Sequence, residues 1–247
     1  MKAKKKLDEL WEWMLEGLFP RRCPLCGGIA VPRPGLACAV CHEKRKRITE
    51  PRCHRCGKPL DSSEALFCVD CQEGEFAYDR SWALWNYDAQ MRRSIQQFKY
   101  QGRQEYADYY VDQLLDAYGG LIRRLDPDVI LPVPIHRARR RKRGYNQAEL
   151  LAEGLSLALD IPMLTDYLVR SHATTALKDL GRQARRQSLQ SAFSINRQSV
   201  GWKYQLRRVL LVDDIYTTGA TADACARVLK EAGTQEVYVI CLCVGSI

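Results

Sequence analysis

Val209-Leu210-Leu211-Val212-Asp213-Asp214-Ile215-Tyr216-Thr217-Thr218-Gly219-Ala220-Thr221 runs from an apolar strand through two carboxylates and a short hydroxylic loop into the start of a helix. Val209–Val212 has the form of a buried strand, and Thr221–Ala232, ended by Gly233, has the spacing of a helix. The first turn of a helix carries unpaired N–H groups and a partial positive charge, so a phosphate monoester fits there. Threonine hydroxyls add donors, and Gly219 lets the backbone approach. Asp213 and Asp214 would repel a phosphate, yet they suit the vicinal hydroxyls of a ribose or a hydrated magnesium ion. A ribose 5-phosphate, with phosphate at one end and diol at the other, satisfies both halves. An ordinary capped turn would account for Asp214 and Thr217, but not for two acids followed by five small or hydroxylic residues in seven.

Working outward, Ser81–Tyr87 reads as an aromatic-rich strand, and Tyr106–Tyr118 as a helix stopped by Gly119-Gly120. Val129–Val133 reads as a buried strand. Asn146-Gln147-Ala148-Glu149 resembles a capping box opening a helix that reaches about Leu159. Ile161–Leu164, Tyr167–Val169 and Val237–Val244 are further strands. Strand, helix and strand in alternation predict an α/β fold, a parallel sheet with helices on its faces, over residues 76–247. Residues 171–191 are polar and basic without apolar periodicity and read as a mobile loop.

Eight of the eleven cysteines form four C-x-x-C pairs, Cys23/Cys26, Cys38/Cys41, Cys53/Cys56 and Cys68/Cys71, at a constant step of fifteen residues. A two-residue gap lets both thiolates of a pair reach one ion, and two pairs complete the tetrahedral sulfur shell that zinc prefers. Glycines at Gly27 and Gly57 permit the tight knuckle turn. Disulfides would need an oxidising compartment, and redox motifs come singly beside a βαβ unit, so structural zinc, about two ions, is the reading. Pairing of consecutive pairs is the simplest arrangement; interleaved pairing also fits the spacing. Residues 21–75 form this zinc-ribbon-like module, too poor in apolar runs to fold without its ions. Before it, Leu7, Leu10, Trp11, Met14, Leu15 and Leu18 make one face of an amphipathic helix within residues 1–20, terminated by Pro20. Cys225, Cys241 and Cys243 lie in apolar patterns as buried hydrophobes.

The 247 residues are 46% hydrophobic and 27% charged, which excludes collagen-like and disordered classes. No apolar run approaches the roughly 18–20 residues of a membrane span, and Asp8, Glu9 and Glu12 interrupt the region where a signal peptide would be apolar. A cytoplasmic location is expected. The net charge of +9 is concentrated: Pro134–Val212 holds fifteen Lys/Arg and five Asp/Glu. Such a field favours phosphates. Arg137, Arg139, Arg140, Arg141, Lys142 and Arg143 put six cations into seven positions, more than a sugar diphosphate requires. A solvated loop serving only pyrophosphate is the plain reading; single-stranded DNA, with Tyr145 stacking on a base, fits the surplus.

The acid-threonine loop resembles the phosphoribosyl-pyrophosphate signature of type I phosphoribosyltransferases. The whole chain is similar to the ComF competence family, whose members join an N-terminal cysteine cluster to such a domain. The motifs are Leu18-Phe19-Pro20 with Cys23-Pro24-Leu25-Cys26-Gly27, Phe98-Lys99-Tyr100 to Gly102, Pro132-Val133-Pro134 to Arg143-Gly144-Tyr145-Asn146-Gln147, and the loop itself. The resemblance implies that Asp213 and Asp214 bind ribose hydroxyls directly or through water and magnesium. It implies that Thr217, Thr218, Gly219, Ala220 and Thr221 cradle the 5-phosphate, and that Pro134, Ile135, His136 and Arg137 contact pyrophosphate. Arg182, Arg185 and Arg186 would close over it from a catalytic loop. Implied partners are phosphoribosyl pyrophosphate, single-stranded DNA along Arg139–Arg143 and Tyr145, and a competence helicase. Two functions stay open: a non-catalytic module for DNA uptake, and a transferase moving ribose 5-phosphate to a nitrogen acceptor.

Overall fold

The computed structural model describes residues 20–31, 35–170, 192–196, 198 and 206–245. All of the expected helix at 1–20 except Pro20, and the expected loop at 171–191 with Arg182, Arg185 and Arg186, lie outside them. The chain forms two compact units, residues 1–46 and 47–247. The first cysteine quartet therefore belongs to one unit and the second to the other, a division that falls inside the 21–75 segment.

In the first unit a knuckle is closed by Cys23 N–H donating to Gly28 O (2.7 Å) and Gly27 N–H to Cys23 O (2.8 Å), with Gly27 at φ +77°. Helix α1 (Ala39–Lys44) follows Cys38. In the second unit the same turn recurs: Cys53 N–H donates to Lys58 O (2.8 Å) and Gly57 N–H to Cys53 O (2.9 Å), and α2 (Val69–Gln72) follows Cys68. The repeat in sequence is thus a repeat of backbone hydrogen bonding.

The described residues of the second unit also form a four-stranded sheet. Its strands are β1 (Arg80–Asn86), β2 (Val129–Pro132), β5 (Arg208–Tyr216) and β6 (Glu236–Val244), ordered β1-β6-β5-β2 and all parallel. A second, antiparallel pair is formed by β3 (Leu168–Arg170) and β4 (Phe193–Ile195). Ile161–Leu164 lies along the β2 edge through a bridge from Met163 to Ile130. Buried on both faces, Val209–Val212 of β5 and Val239–Val244 of β6 are continuous apolar runs, the form that buried parallel strands take. Side chains alternate across the sheet: Val209, Leu211, Val237, Val239 and Cys241 share one core cluster with Cys53, Cys56, Cys71 and helix α7 (Ala220–Glu231).

Among the described residues of this unit four further helices are present: α3 (Ala89–Tyr100), α4 (Tyr106–Leu125), α5 (Arg137–Arg143) and α6 (Gln147–Leu159). Helix α3 was not foreseen, and the arginine run is a helical segment where a loop was expected. Helix α4 passes through Gly119-Gly120 instead of stopping there. Each glycine costs about 1 kcal/mol in a helix. Leu114, Tyr118 and Ile122 lie on one buried stripe, and the Tyr118 hydroxyl donates to Ala83 O at 2.7 Å, which outweighs that cost. Helices α4 and α6 touch at Gly154, where a Cβ would meet Val111 Cγ2 at 2.6 Å.

Candidate ribose-phosphate site

The neighbouring strands β2 and β5 place the expected groups side by side. Leu131 pairs with Leu211 and Pro132 with Val212, and Val133 N–H donates to Val212 O at 2.9 Å. The loop after β2, with Pro134, Ile135, His136 and Arg137, therefore leaves the same sheet edge as the loop after β5. Ligands of open α/β sheets bind at that carboxyl edge.

Asp213 and Asp214 sit within β5, whose strand geometry continues to Tyr216. Asp214 is buried, and its backbone N–H donates to Asp213 Oδ1 at 2.8 Å. Burial, then the neighbouring Asp214 charge, raises the Asp213 carboxyl to about 7, against the opposing pull of Lys99. Lys99 Nζ lies 2.5 Å from Asp214 Oδ2, with both side chains largely shielded (19% and 11% exposed). Lys99 stands in the Phe98-Lys99-Tyr100 motif, whose sequence alone gives it no role. The signal was there: Met91, Ile95 and Lys99 step by four along α3, which sets a lysine on a helix face that is otherwise buried.

Beyond Asp214, the loop turns on Gly219 at φ +77°. A side chain there is strained by the left-handed backbone, and its Cβ would fall 2.3 Å from Tyr216 Oη and 3.2 Å from a Phe76 ring carbon. Gly219 is also the N-cap of α7 and brings no capping side chain; Thr218 Oγ1 accepts only a long 3.4 Å bond from Ala220 N–H. The first-turn amides of α7, from Ala220 and Thr221 onward, thus keep the electropositive character that receives an anion. The acid in this turn, Asp223, is tied back: it accepts from Ala77 N–H (2.7 Å) and from Arg227 Nε (3.1 Å). Tyr216 under the loop is buried and shares a 2.7 Å hydrogen bond with Tyr78.

Across the edge, His136 caps α5, its Nδ1 accepting from Ala138 N–H at 3.2 Å. A cavity of about 710 Å³ opens there, lined by Pro134, Ile135, Arg137, Arg140, Glu149 and Arg170 among others. Asn146 binds both sides of this turn: its Nδ2 donates to Val133 O (3.0 Å) and its Oδ1 accepts from Ala148 N–H (3.2 Å). Glu149, expected to complete a capping box, instead meets Arg140 at 2.5 Å. Of the six cations, Arg140 is so engaged, and Arg143 bonds Gln147 and lies 4.9 Å over the Tyr100 ring. Arg139, Arg141 and Lys142 are exposed. The stacking role expected of Tyr145 is corrected: its ring is 8% exposed and packs on Phe98, and its hydroxyl donates to Phe98 O, so no face is open to a base. The exposed ring at this edge is Tyr100.

The cysteine quartets close as consecutive pairs. Cys23, Cys26, Cys38 and Cys41 bring their sulfurs within 4.8 Å of one another, as do Cys53, Cys56, Cys68 and Cys71. Four thiolates at that spacing are the donor set of a structural zinc site.

A parallel sheet bearing an acid pair and a glycine loop into a helix defines a class, the phosphoribosyltransferase fold of type I, and the phosphoribosyl transferase domain family matches residues 142–246. The double zinc ribbon domain matches residues 14–72. Competence protein F of Haemophilus influenzae is 35% identical over 90% of this chain and 96% of its own length. DNA utilization protein YhgH of Escherichia coli O157:H7 is 31% identical over 91% and 97%. The chain belongs to the ComF family of competence proteins. A purine phosphoribosyltransferase of Pyrococcus horikoshii superposes with a TM-score of 0.35 at 20% identity, covering 56% of this chain and 82% of that one, too distant to add to the argument.

Proposed function

We propose that this protein binds phosphoribosyl pyrophosphate and takes part in the uptake of transforming DNA in the cytoplasm, contacting single-stranded DNA with its exposed cations. The observation that carries the ligand is the pairing of Asp213 and Asp214 with the Gly219 turn at the head of α7. The ribose diol is bound by the acids, the 5-phosphate by Thr217, Thr218, Gly219, Ala220 and Thr221, and the pyrophosphate by Pro134, Ile135, His136 and Arg137. Carboxylates and a diphosphate are hard oxygen donors that suit magnesium, which neutralises the diphosphate when bound. The names of the relatives, competence protein F and DNA utilization protein, support the DNA role. A helicase acting on the same strand is the protein partner that role calls for.

Titration calorimetry tests the ligand. Phosphoribosyl pyrophosphate binds with magnesium, ribose 5-phosphate binds more weakly, and a bulky substitution such as Thr218→Trp abolishes both. Absence of binding with magnesium present removes the site. For DNA, Arg139, Arg141 and Lys142 are the cations to replace together. The slope of log affinity against log salt flattens by about 2 if each meets a phosphate of a single strand. An unchanged slope returns the run to a solvated surface.

A second reading, turnover, is favoured by the cavity beside the pyrophosphate loop. A nitrogen lone pair would attack C1 of the ribose, the C1–O bond would break, its electron pair would leave with pyrophosphate, and the nitrogen would lose its proton. Positioning and charge stabilisation supply most of such a gain. Release of pyrophosphate with candidate acceptors separates the readings.

A further inference from the structure

We propose that Lys99 is the positioning residue of the ribose site: its ammonium fixes Asp214 and supplies, at the acid pair, the positive charge that a metal ion would otherwise bring. The proposal rests on the ligand reading above and names the group that makes the acid pair compatible with an anionic sugar phosphate.

The geometry is built from both sides. Lys99 is the penultimate residue of α3 and reaches Asp214 Oδ2 at 2.5 Å with little water around either partner. The chain on either side of it is anchored by the arginine-to-glutamine motif. Phe98 O accepts from both Tyr145 Oη and Gln147 Nε2, the latter at 3.3 Å. On the other side, Arg143 covers the Tyr100 ring and its Nη2 donates to Tyr100 Oη at 3.3 Å. Phe98 itself is fully buried. Two motifs far apart in sequence, Phe98-Lys99-Tyr100 and Arg143-Gly144-Tyr145-Asn146-Gln147, are thus one device that aims a lysine at a strand carboxylate. Burial alone would push the Lys99 ammonium down, but Asp214 and then Asp213 more than offset it, so the lysine stays charged.

Two adjacent carboxylates without a cation repel a sugar phosphate and each other. With Lys99 in place the trio carries one net negative charge when both acids are ionised, and Asp214 is held in one orientation for the diol. Of the three donors of the ammonium, one is committed to Asp214 Oδ2. A sugar phosphate lacking the diphosphate should then bind without magnesium, while phosphoribosyl pyrophosphate needs the ion only for its diphosphate.

The test is calorimetric titration of ribose 5-phosphate, in EDTA and in magnesium, into the parent and three variants. The parent binds with nearly the same affinity in both buffers. Lys99→Met loses about tenfold or more in EDTA, the effect of deleting a charged hydrogen-bonding partner, and regains most of it in magnesium as the ion takes up the two acids. Lys99→Arg keeps the EDTA-tolerant binding in part. Because Lys99→Met leaves Asp214 buried and unpaired, Lys99→Met with Asp214→Asn is the folding control. It restores thermal stability, and magnesium does not restore its binding. Parental binding by Lys99→Met in EDTA, or by the double variant, overturns the proposal and makes the pair purely structural; so does a parent that requires magnesium for ribose 5-phosphate. If the parent binds phosphoribosyl pyrophosphate while any of these holds, only the lysine proposal falls. If it binds neither ligand, the ligand reading falls first.

Discussion

The two cysteine quartets share a sequence pattern, a knuckle turn and a hydrogen-bond scheme, but they are built into the molecule differently. In the first, Cys23 is buried while Cys26 is exposed and Cys41 half-buried. In the second, Cys53, Cys56 and Cys71 are buried in the core that also holds Tyr78, Ala83, Val239 and Tyr216. The second knuckle lies directly against β1: Ser81 N–H donates to Arg55 O at 2.7 Å, and a Cβ on Gly57 would meet Ser81 O at 2.8 Å. From there the contacts run on to the ligand loop. Arg55 Nη1 donates to Phe76 O (3.2 Å), Phe76 packs on Tyr78 with centroids 5.3 Å apart, and Tyr78 bonds Tyr216 beneath Gly219. One local recipe therefore yields a knuckle in its own unit and a wall of the ribose-phosphate site. Metal ligation is encoded locally, and what the metal supports is decided by packing.

The sharpest way to break this comparison is to remove one thiolate from each quartet. Cys26→Ala and Cys56→Ala should each lower the zinc content from two ions to one by elemental analysis. Structural zinc contributes roughly 10 kcal/mol or more to a folded ribbon. Cys56→Ala should therefore remove hydrogen-exchange protection across β1, β5 and β6 and abolish ligand binding, while Cys26→Ala leaves both as in the parent. Equal loss in the two variants would refute the distinction.

The acid pair makes the second unit pH-sensitive in a defined direction. Asp213 is raised from about 4 in the unfolded chain to about 7 in the fold, so between those values the folded state holds the extra proton and stability falls as pH rises. The full shift corresponds to at most about 4 kcal/mol at neutral pH. Asp213→Asn should flatten urea-denaturation stability between pH 4 and 7, and an unaltered slope would contradict the shift. Exchange protection of the first unit should be the same in the variant and the parent.

A smaller effect probes the bridge from zinc wall to loop. Tyr216→Phe leaves the buried Tyr78 hydroxyl without its partner, at a cost of about 1–3 kcal/mol, and should weaken sugar-phosphate binding with zinc content unchanged. If binding is unmoved, the wall supports the sheet and not the loop. Smallest is the Lys58–Asp70 ion pair at 2.9 Å, which clips the second knuckle to α2. Partly open to water, with side chains 19% and 41% exposed, it contributes about 1 kcal/mol or less, so Lys58→Ala should slightly speed zinc release from the second quartet alone, read with a chromophoric chelator.

Much of the second unit was legible in advance. Strands β1, β2, β5 and β6 and helices α6 and α7 lie where apolar runs and caps put them, with no end moved by more than four residues. Helix α3 was missed because its apolar stripe is interrupted by Arg92, Arg93, Gln96 and Gln97, polar residues that face outward once Met91, Ile95 and Phe98 are buried. The glycine pair misled because a stop signal of about 1 kcal/mol each is weak beside the burial of Tyr118 and Ile122. Tyr145 misled because a tyrosine beside arginines suits a stacking platform as well as it suits a buried donor, and only the position of Phe98 distinguishes the two.

By itself the amino-acid sequence determined the four C-x-x-C pairs, the strand-acid-loop-helix order and the run of cations at 137–143, because each depends on residues within a few positions of one another: a knuckle turn, a helix cap, a glycine at positive φ. Tertiary structure alone decided which quartet joined the sheet core, which arginines were paired, and that Lys99 meets Asp214. Burial and ion pairing bring together groups that lie far apart along the chain, and no local spacing records which of several lysines, tyrosines or cysteines will be carried to the same point.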